Sequence, residues 1–142
     1  MSIRQLVYVS EETAPLDGSG LMLLVENARK VNLSLDVTGV LLRSSRRFAQ
    51  CLEGEGGKVD ALFRRIRDDS RHTNIVVLQD IAVPSRCFGE WSMGLVNVGD
   101  AELEKLSSAD WEAAISHHAT RDWLSPGFVL MESLWHHYRK IA

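Results

Sequence analysis

Three polar side chains of this sequence stand where the surrounding pattern calls for core. Tyr8 shares a strand face with Leu6, Gln50 lies between Phe48 and Leu52 on theirs, and Asn32 follows Ala28 by four residues on an apolar helical stripe. A phenol is oxidisable and can release its proton with the electron; a carboxamide carries a donor and an acceptor that can exchange places. An unsatisfied buried amide costs on the order of 1–3 kcal/mol. Gln50 and Asn32 directed into one helix–sheet layer therefore require either a polar network closed with water or a ligand with a polar edge. Arg65 and Asp69, at i and i+4, read by themselves as an exposed intrahelical ion pair. Trp91 and Met93 by themselves read as core packing.

Other constellations carry less. Gly54-Glu55-Gly56-Gly57 lacks the Lys-Ser/Thr of a phosphate loop and reads as a turn. His117-His118 and His136-His137 splay about a helix rather than converge, so no metal site is expected, and His72 is read as structural. Cys51 and Cys87 lie far apart without a Cys-x-x-Cys spacing and read as reduced, half-buried thiols. Cys51 follows Gln50 and is expected on the opposite sheet face.

The elements that must position these groups follow from periodicity. Ile3–Ser10 alternates with apolar residues on both faces, which predicts a central strand. Leu21, Leu24, Val25 and Ala28 form one helical stripe, ending near Asn32. Val37–Leu42 and Phe48–Leu52 are β-rich runs separated by a polar interval of hairpin length, so they are expected to pair antiparallel. Val59, Leu62, Phe63 and Ile66 mark a second helix. Ile75–Val83 reads as a strand buried on both faces, and the run Phe88–Val98 as a last strand with Trp91, Met93 and Leu95 on one side. This order predicts an α+β fold, a ferredoxin-like β-α-β-β-α-β-β sandwich with helices on one sheet face and the opposite face needing cover. Two C-terminal helices supply the cover: a stripe of Trp111, Ala114, Ile115 and His118, and another of Met131, Leu134, Trp135 and Tyr138, separated by Ser125-Pro126-Gly127. Their aromatic faces are equally able to meet a second subunit.

Composition narrows the function classes. The chain has 142 residues, 45% of them apolar, enough for a sizeable core. With 16 Lys+Arg against 19 Asp+Glu and a formal charge of −3, it lacks the basic field that holds a phosphate backbone, and no nucleic-acid partner is expected. No apolar run approaches the ~20 residues needed to span a bilayer, and Met1–Tyr8 lacks a signal-peptide core, so no membrane partner and a cytoplasmic location are expected.

Six fragments now gather into a pattern. They are Leu6-Val7-Tyr8-Val9-Ser10; Ala28-Arg29 with Asn32; Thr38-Gly39-Val40-Leu41-Leu42; Phe48-Ala49-Gln50-Cys51-Leu52-Glu53-Gly54; Asp69-Ser70-Arg71-His72; and Arg86-Cys87-Phe88-Gly89-Glu90-Trp91-Ser92-Met93. In this order and at these intervals, over roughly residues 3–98, the chain resembles the BLUF family of flavin blue-light sensors. The resemblance implies the same fold, with the isoalloxazine ring of FAD, FMN or riboflavin held between the two helices above the sheet. It makes Tyr8 the electron donor and Gln50 the switching glutamine, left rotated or tautomerised after Tyr8 gives up and regains an electron and a proton. Gln50 then donates a new hydrogen bond to the flavin C4 carbonyl, and absorption shifts to the red. Asn32 is implied to bond the polar rim of the ring, Arg65 and Asp69 to face its edge atoms and ribityl chain, and Arg29 to approach from the first helix. Val31 stands where some relatives have a polar or aromatic residue and can only pack on the ring face. Trp91 and Met93 match a Trp-x-Met thought to alternate beside the glutamine and to form the output path.

The sequence therefore predicts a sensor domain over 1–98 and a helical extension over 99–142, and a photoreceptor rather than an enzyme. About 100 residues are needed for an effector domain, more than the extension holds. The expected partners are a flavin, an unidentified downstream signalling protein and a second copy of the chain in a homo-oligomer. The alternative is a small ferredoxin-like enzyme or metabolite-sensing domain using the same cavity without photochemistry.

Overall fold

The computed structural model describes residues 3–112 and 124–139. Its elements are β1 (Ile3–Glu12), α1 (Gly18–Leu35), β2 (Thr38–Arg43), β3 (Arg47–Gly54), α2 (Gly56–Arg67), β4 (His72–Val83), β5 (Gly94–Asn97), α3 (Asp100–Ser107) and α4 (Pro126–Arg139). Local chemistry places the helix ends. The Asp17 carboxylate accepts from the Gly20 N–H at 2.6 Å to start α1. Asp36, at φ 53°, turns the chain out of α1 with its N–H on the carbonyls of Asn32 and Leu33. The Glu55 side chain accepts from the Gly57 and Lys58 N–H groups and opens α2, so the glycine-rich stretch is the turn expected of it.

The strands form one mixed five-stranded sheet in the order β4-β1-β3-β2-β5, with the β2·β5 pair parallel and the others antiparallel. The fold is α+β and ferredoxin-like, as the pattern predicts. Gly39 is needed where β2 meets β3: a Cβ there would sit 1.9 Å from the Cys51 carbonyl oxygen.

Alternation along the strands divides the interior into two layers. Leu6, Tyr8, Leu41, Leu52 and Met93 face α1 and α2 and pack on Val25, Val59, Leu62 and Phe63. Val7, Val40, Leu42 and Cys51 face the other way and are covered by Leu103 and Leu106 of α3 and by Phe128, Met131 and Trp135 of α4. The extension thus shares a core with the sheet. α4 is the second of the two expected tail helices. The first, placed on the stripe Trp111–His118, falls mainly on residues 113–123, outside those described. α3, which the sequence reading did not anticipate, covers the sheet beside α4, and Trp111 donates its indole N–H to the Leu106 carbonyl at its end.

Two expectations are corrected. β4 is an edge strand and not buried on both faces: Val76 and Val77 are 54% and 45% exposed. The last strand is only four residues, Gly94–Asn97, so the chain before it bends and Trp91 does not share a face with Met93. Trp91 packs in the α3/α4 layer and Met93 in the α1/α2 layer. No helix among the described residues is long and apolar enough to cross a membrane.

Candidate functional site

The α1/α2 layer is incompletely filled. Between the two helices and the sheet lies a slot of about 240 Å³. Its walls are apolar, Leu24, Ala28 and Val31 from α1 and Leu62 and Ile66 from α2; its floor is Tyr8, Leu41, Phe48, Gln50 and Met93 of the sheet. Polar groups complete the lining: Asn27, Asn32, Arg65, Asp69, Arg71 and His72. Flat apolar walls with a few convergent polar groups suit a planar ligand with a polar edge.

Register places the central pair. Tyr8 of β1 stands directly opposite Gln50 of β3, and cross-strand neighbours on one face lie within side-chain reach. The Tyr8 hydroxyl donates to Gln50 Oε1. That contact fixes the orientation of the amide, so Gln50 Nε2 points away and donates to Met93 Sδ at 3.4 Å. All three side chains are buried. Burial pushes the Tyr8 phenol well above its usual range, with the negative charge of Asp69 adding to the effect. The Tyr8 ring also meets Phe63 at 5.5 Å between centroids and the His72 ring edge-on at 6.2 Å. His72 is itself pinned, Nδ1 2.8 Å from the Ser10 hydroxyl and Nε2 2.6 Å from the Ile66 carbonyl.

Asn32, Arg29 and the segment before β5 form a second cluster. Asn32 is buried and donates from Nδ2 to the Ser92 carbonyl at 2.6 Å; Arg29 Nε donates to the Met93 carbonyl at 2.9 Å. Both helix α1 side chains therefore hold the backbone that carries Met93, and Asn32 does so from the wall of the slot. Arg65 also lines the slot, without an ion-pair partner among the described residues. Asp69 lies beyond the end of α2 and pairs with Arg71, at 2.5 Å, not with Arg65; the Arg71 guanidinium holds its carboxyl below the usual carboxylate range. Trp91 is outside the slot, edge-on to Trp135 at 5.0 Å between centroids and under the Arg139 guanidinium at 4.9 Å. Cys51 faces the α3/α4 layer, as alternation requires.

Sequence reasoning missed Asn27, Arg71 and His72 as lining residues. Asn27 follows Leu24 by three on the same helical face, so the stripe itself contained the signal. Arg71 is placed by a local turn, its N–H donating to Asp69 Oδ1 at 2.9 Å, which is a recognisable Asx turn.

Comparison with known proteins now decides the family. The BLUF model, described as sensors of blue-light using FAD, matches residues 3–94. The chain belongs to the BLUF family. The BLUF region is a sensor domain of the flavin-binding, blue-light type rather than an enzyme. The blue light- and temperature-regulated antirepressor BluF of Escherichia coli is 36% identical over 93 residues, covering 66% of this chain and 23% of that protein. A photoactivated adenylate cyclase subunit beta of Euglena longa is 31% identical over 93 residues, covering 65% of this chain and 11% of that one. The chain thus spans less than a quarter of the length of the curated relatives it matches. Among solved structures, the BLUF protein BlrB in its dark state superposes with a TM-score of 0.62 at 33% identity, over 75% of this chain and 79% of that one. A bacterial light-regulated adenylyl cyclase gives 0.66 at 28% identity, over 98% of this chain and 35% of that one.

Proposed function

We propose that this BLUF chain senses blue light through the hydrogen bonds joining Tyr8, Gln50 and Met93 at the floor of the slot. The observation that carries the reading is that donor chain: a buried phenol on an amide, and the same amide on a thioether, at the base of an open apolar cleft. Flavin, when bound, supplies the absorption of blue light and the acceptor for an electron. The proposed place for a flat tricyclic ring is between the apolar residues Leu24, Ala28 and Val31 of α1 and Leu62 and Ile66 of α2, which line the slot. Its volume of about 240 Å³ is small for a ligand pocket, so the flavin's tail is proposed to extend beyond it, whichever of FAD, FMN or riboflavin is bound. Asn32, Arg65 and Asp69 of the slot lining are assigned to cofactor contacts, and Arg29, which is bonded to the Met93 carbonyl and lies outside that lining, is assigned an approach to the cofactor from α1.

The chain's own atoms suggest how the switch works. Tyr8 stays protonated in its buried place, so an electron can leave the ring only if the proton moves too. That proton goes first to Gln50 Oε1, which already accepts it in a hydrogen bond. With Tyr8 having regained its own proton, shifting one proton within the amide from Nε2 to Oε1 gives the imidic acid, and turning the amide over exchanges the same two atoms in space. Turning over carries the donor away from Met93 Sδ, and either route changes which atoms of Gln50 donate and accept. Met93 leads into β5, so the change reaches the layer beneath α3 and α4. We assign residues 1–98 to sensing and 99–142 to output. The output passes to a partner protein or a second copy of the chain.

The test is an absorption spectrum of the purified protein loaded with FAD, FMN or riboflavin, taken in darkness and after blue light. A reversible red shift is expected. A colourless protein that takes up none of the three overturns the reading.

A further inference from the structure

On the sheet face away from the slot, four side chains that never see a ligand form a single buried chain of hydrogen bonds. Gln5 stands directly opposite Glu53, and Gln79 of β4 pairs with Val7, two residues along. Gln5, Glu53 and Ser125 are fully buried and Gln79 is 5% exposed. At one end the Glu53 carboxylate accepts from the Cys87 N–H at 2.9 Å and the Phe88 N–H at 2.6 Å, both in the segment that runs on to Trp91 and Met93. It also accepts from Gln5 Nε2 at 2.8 Å. Gln5 Oε1 then faces Gln79 Nε2 at 2.5 Å, and Gln79 Oε1 accepts from the Ser125 hydroxyl at 3.1 Å. Ser125 caps α4: its Oγ accepts from the Phe128 N–H at 3.1 Å.

The direction of this chain is forced from the Glu53 end. A carboxylate only accepts, so Gln5 must turn its Nε2 to Glu53 and its Oε1 to Gln79; Gln79 then gives its Nε2 to Gln5 and turns its Oε1 to the Ser125 hydroxyl, which donates. Neither amide can turn over without setting donor against donor. The chain also closes on itself, because its terminal residues Phe88 and Phe128 have ring centroids 5.7 Å apart. A fully satisfied buried network gains nothing by moving, so a displacement of the 87–93 segment can only break it.

We propose that the Ser125–Gln79–Gln5–Glu53 chain is a latch that holds the first turn of α4 to the segment preceding Met93, and that illumination opens it. Gln79 and Ser125 act as positioning residues for the output helix. This rests on the photoreceptor reading above, since it takes the Gln50–Met93 change as the input.

The test is hydrogen–deuterium exchange of the flavin-loaded full chain, in darkness and under blue light, followed over Pro126–Arg139, with the absorption shift recorded on the same samples. In the unaltered protein the first turns of α4 should exchange about tenfold faster in light, the loss expected for one buried partner. Gln79→Met should exchange at that faster rate already in darkness, show no light–dark difference, and keep its red shift. Ser125→Ala should behave likewise and Ser125→Thr, which keeps the hydroxyl, should behave like the unaltered chain. This pair decides the matter if Gln79→Met fails to bind flavin. Absence of any red shift in the unaltered protein sinks the photoreceptor reading instead, while the dark comparison still tests the latch. A normal red shift with unchanged α4 exchange, or a Gln79→Met or Ser125→Ala protein with α4 protected in darkness and opened by light as before, overturns the proposal.

Discussion

The edge of the Trp135 indole rests on the backbone of Gly94: a Cβ at that glycine would come 2.2 Å from Trp135 Cη2. Gly94 opens β5, pairs with Val40 of β2, and directly follows Met93. The sulfur that receives the Gln50 amide and the contact that seats α4 therefore belong to adjacent residues. Trp135 is itself 2% exposed and meets the rings of both Trp91 and Phe88, so it cannot yield to a larger neighbour without moving the helix.

Gly94→Ala should therefore lift α4 from the sheet. An added methyl in a well-packed interior costs about 1–3 kcal/mol. A urea titration followed by tryptophan fluorescence should show a lowered midpoint and an altered native emission. An unchanged midpoint would mean that Trp135 does not lie on Gly94.

The Tyr8–Gln50 pair predicts two losses of function with the cofactor retained. Gln50→Leu keeps the size of the side chain but removes both hydrogen-bonding atoms, and Tyr8→Phe removes the hydroxyl. Each should bind flavin and lose the normal reversible red shift. A normal shift in Gln50→Leu would take the switching role away from this residue.

Asn32→Ala should loosen the segment that carries Met93, because the Ser92 carbonyl loses its 2.6 Å donor. Losing one hydrogen bond of this part-buried kind costs about 1 kcal/mol. A lower thermal midpoint together with faster amide exchange around residues 91–94 is expected; unchanged exchange there would show that Asn32 is not what holds this backbone.

Burial raises the Tyr8 phenol above its ordinary value of about 10. Above that pH the unfolded chain releases this proton while the folded chain keeps it. The contribution is complete below pH about 10 and is lost as the pH rises toward the folded value. Urea midpoints measured from pH 8 to 11 should fall on the alkaline side, and fall less steeply in Tyr8→Phe. Equal slopes in the two proteins would place the Tyr8 hydroxyl in contact with solvent.

Much of the sensing layer could be read one residue at a time. Alternation put Tyr8 and Gln50 on an inner face and Cys51 on the other, the 3.6-residue period put Asn32 on the buried side of α1, and two β-rich runs joined by a short polar loop made the hairpin. Each of these is a local property, set by the pleat of a strand or the turn of a helix within a few residues. The apolar run in β4 was legible as a strand but not as an edge, because strand order depends on which distant segment lies alongside. Trp91 and Met93, two apart, invited placement on one face; the bend before Gly94 sent them to opposite layers. His72, at the start of β4, became a slot residue only when β4 was laid beside β1 and the helices were set on the same sheet. The Gln5–Glu53–Gln79–Ser125 chain drew on residues from four separate elements, and no spacing along the chain could announce it. A hydrogen bond is decided by distance and direction in space, and those quantities exist only after the sheet has closed and its second face has been covered.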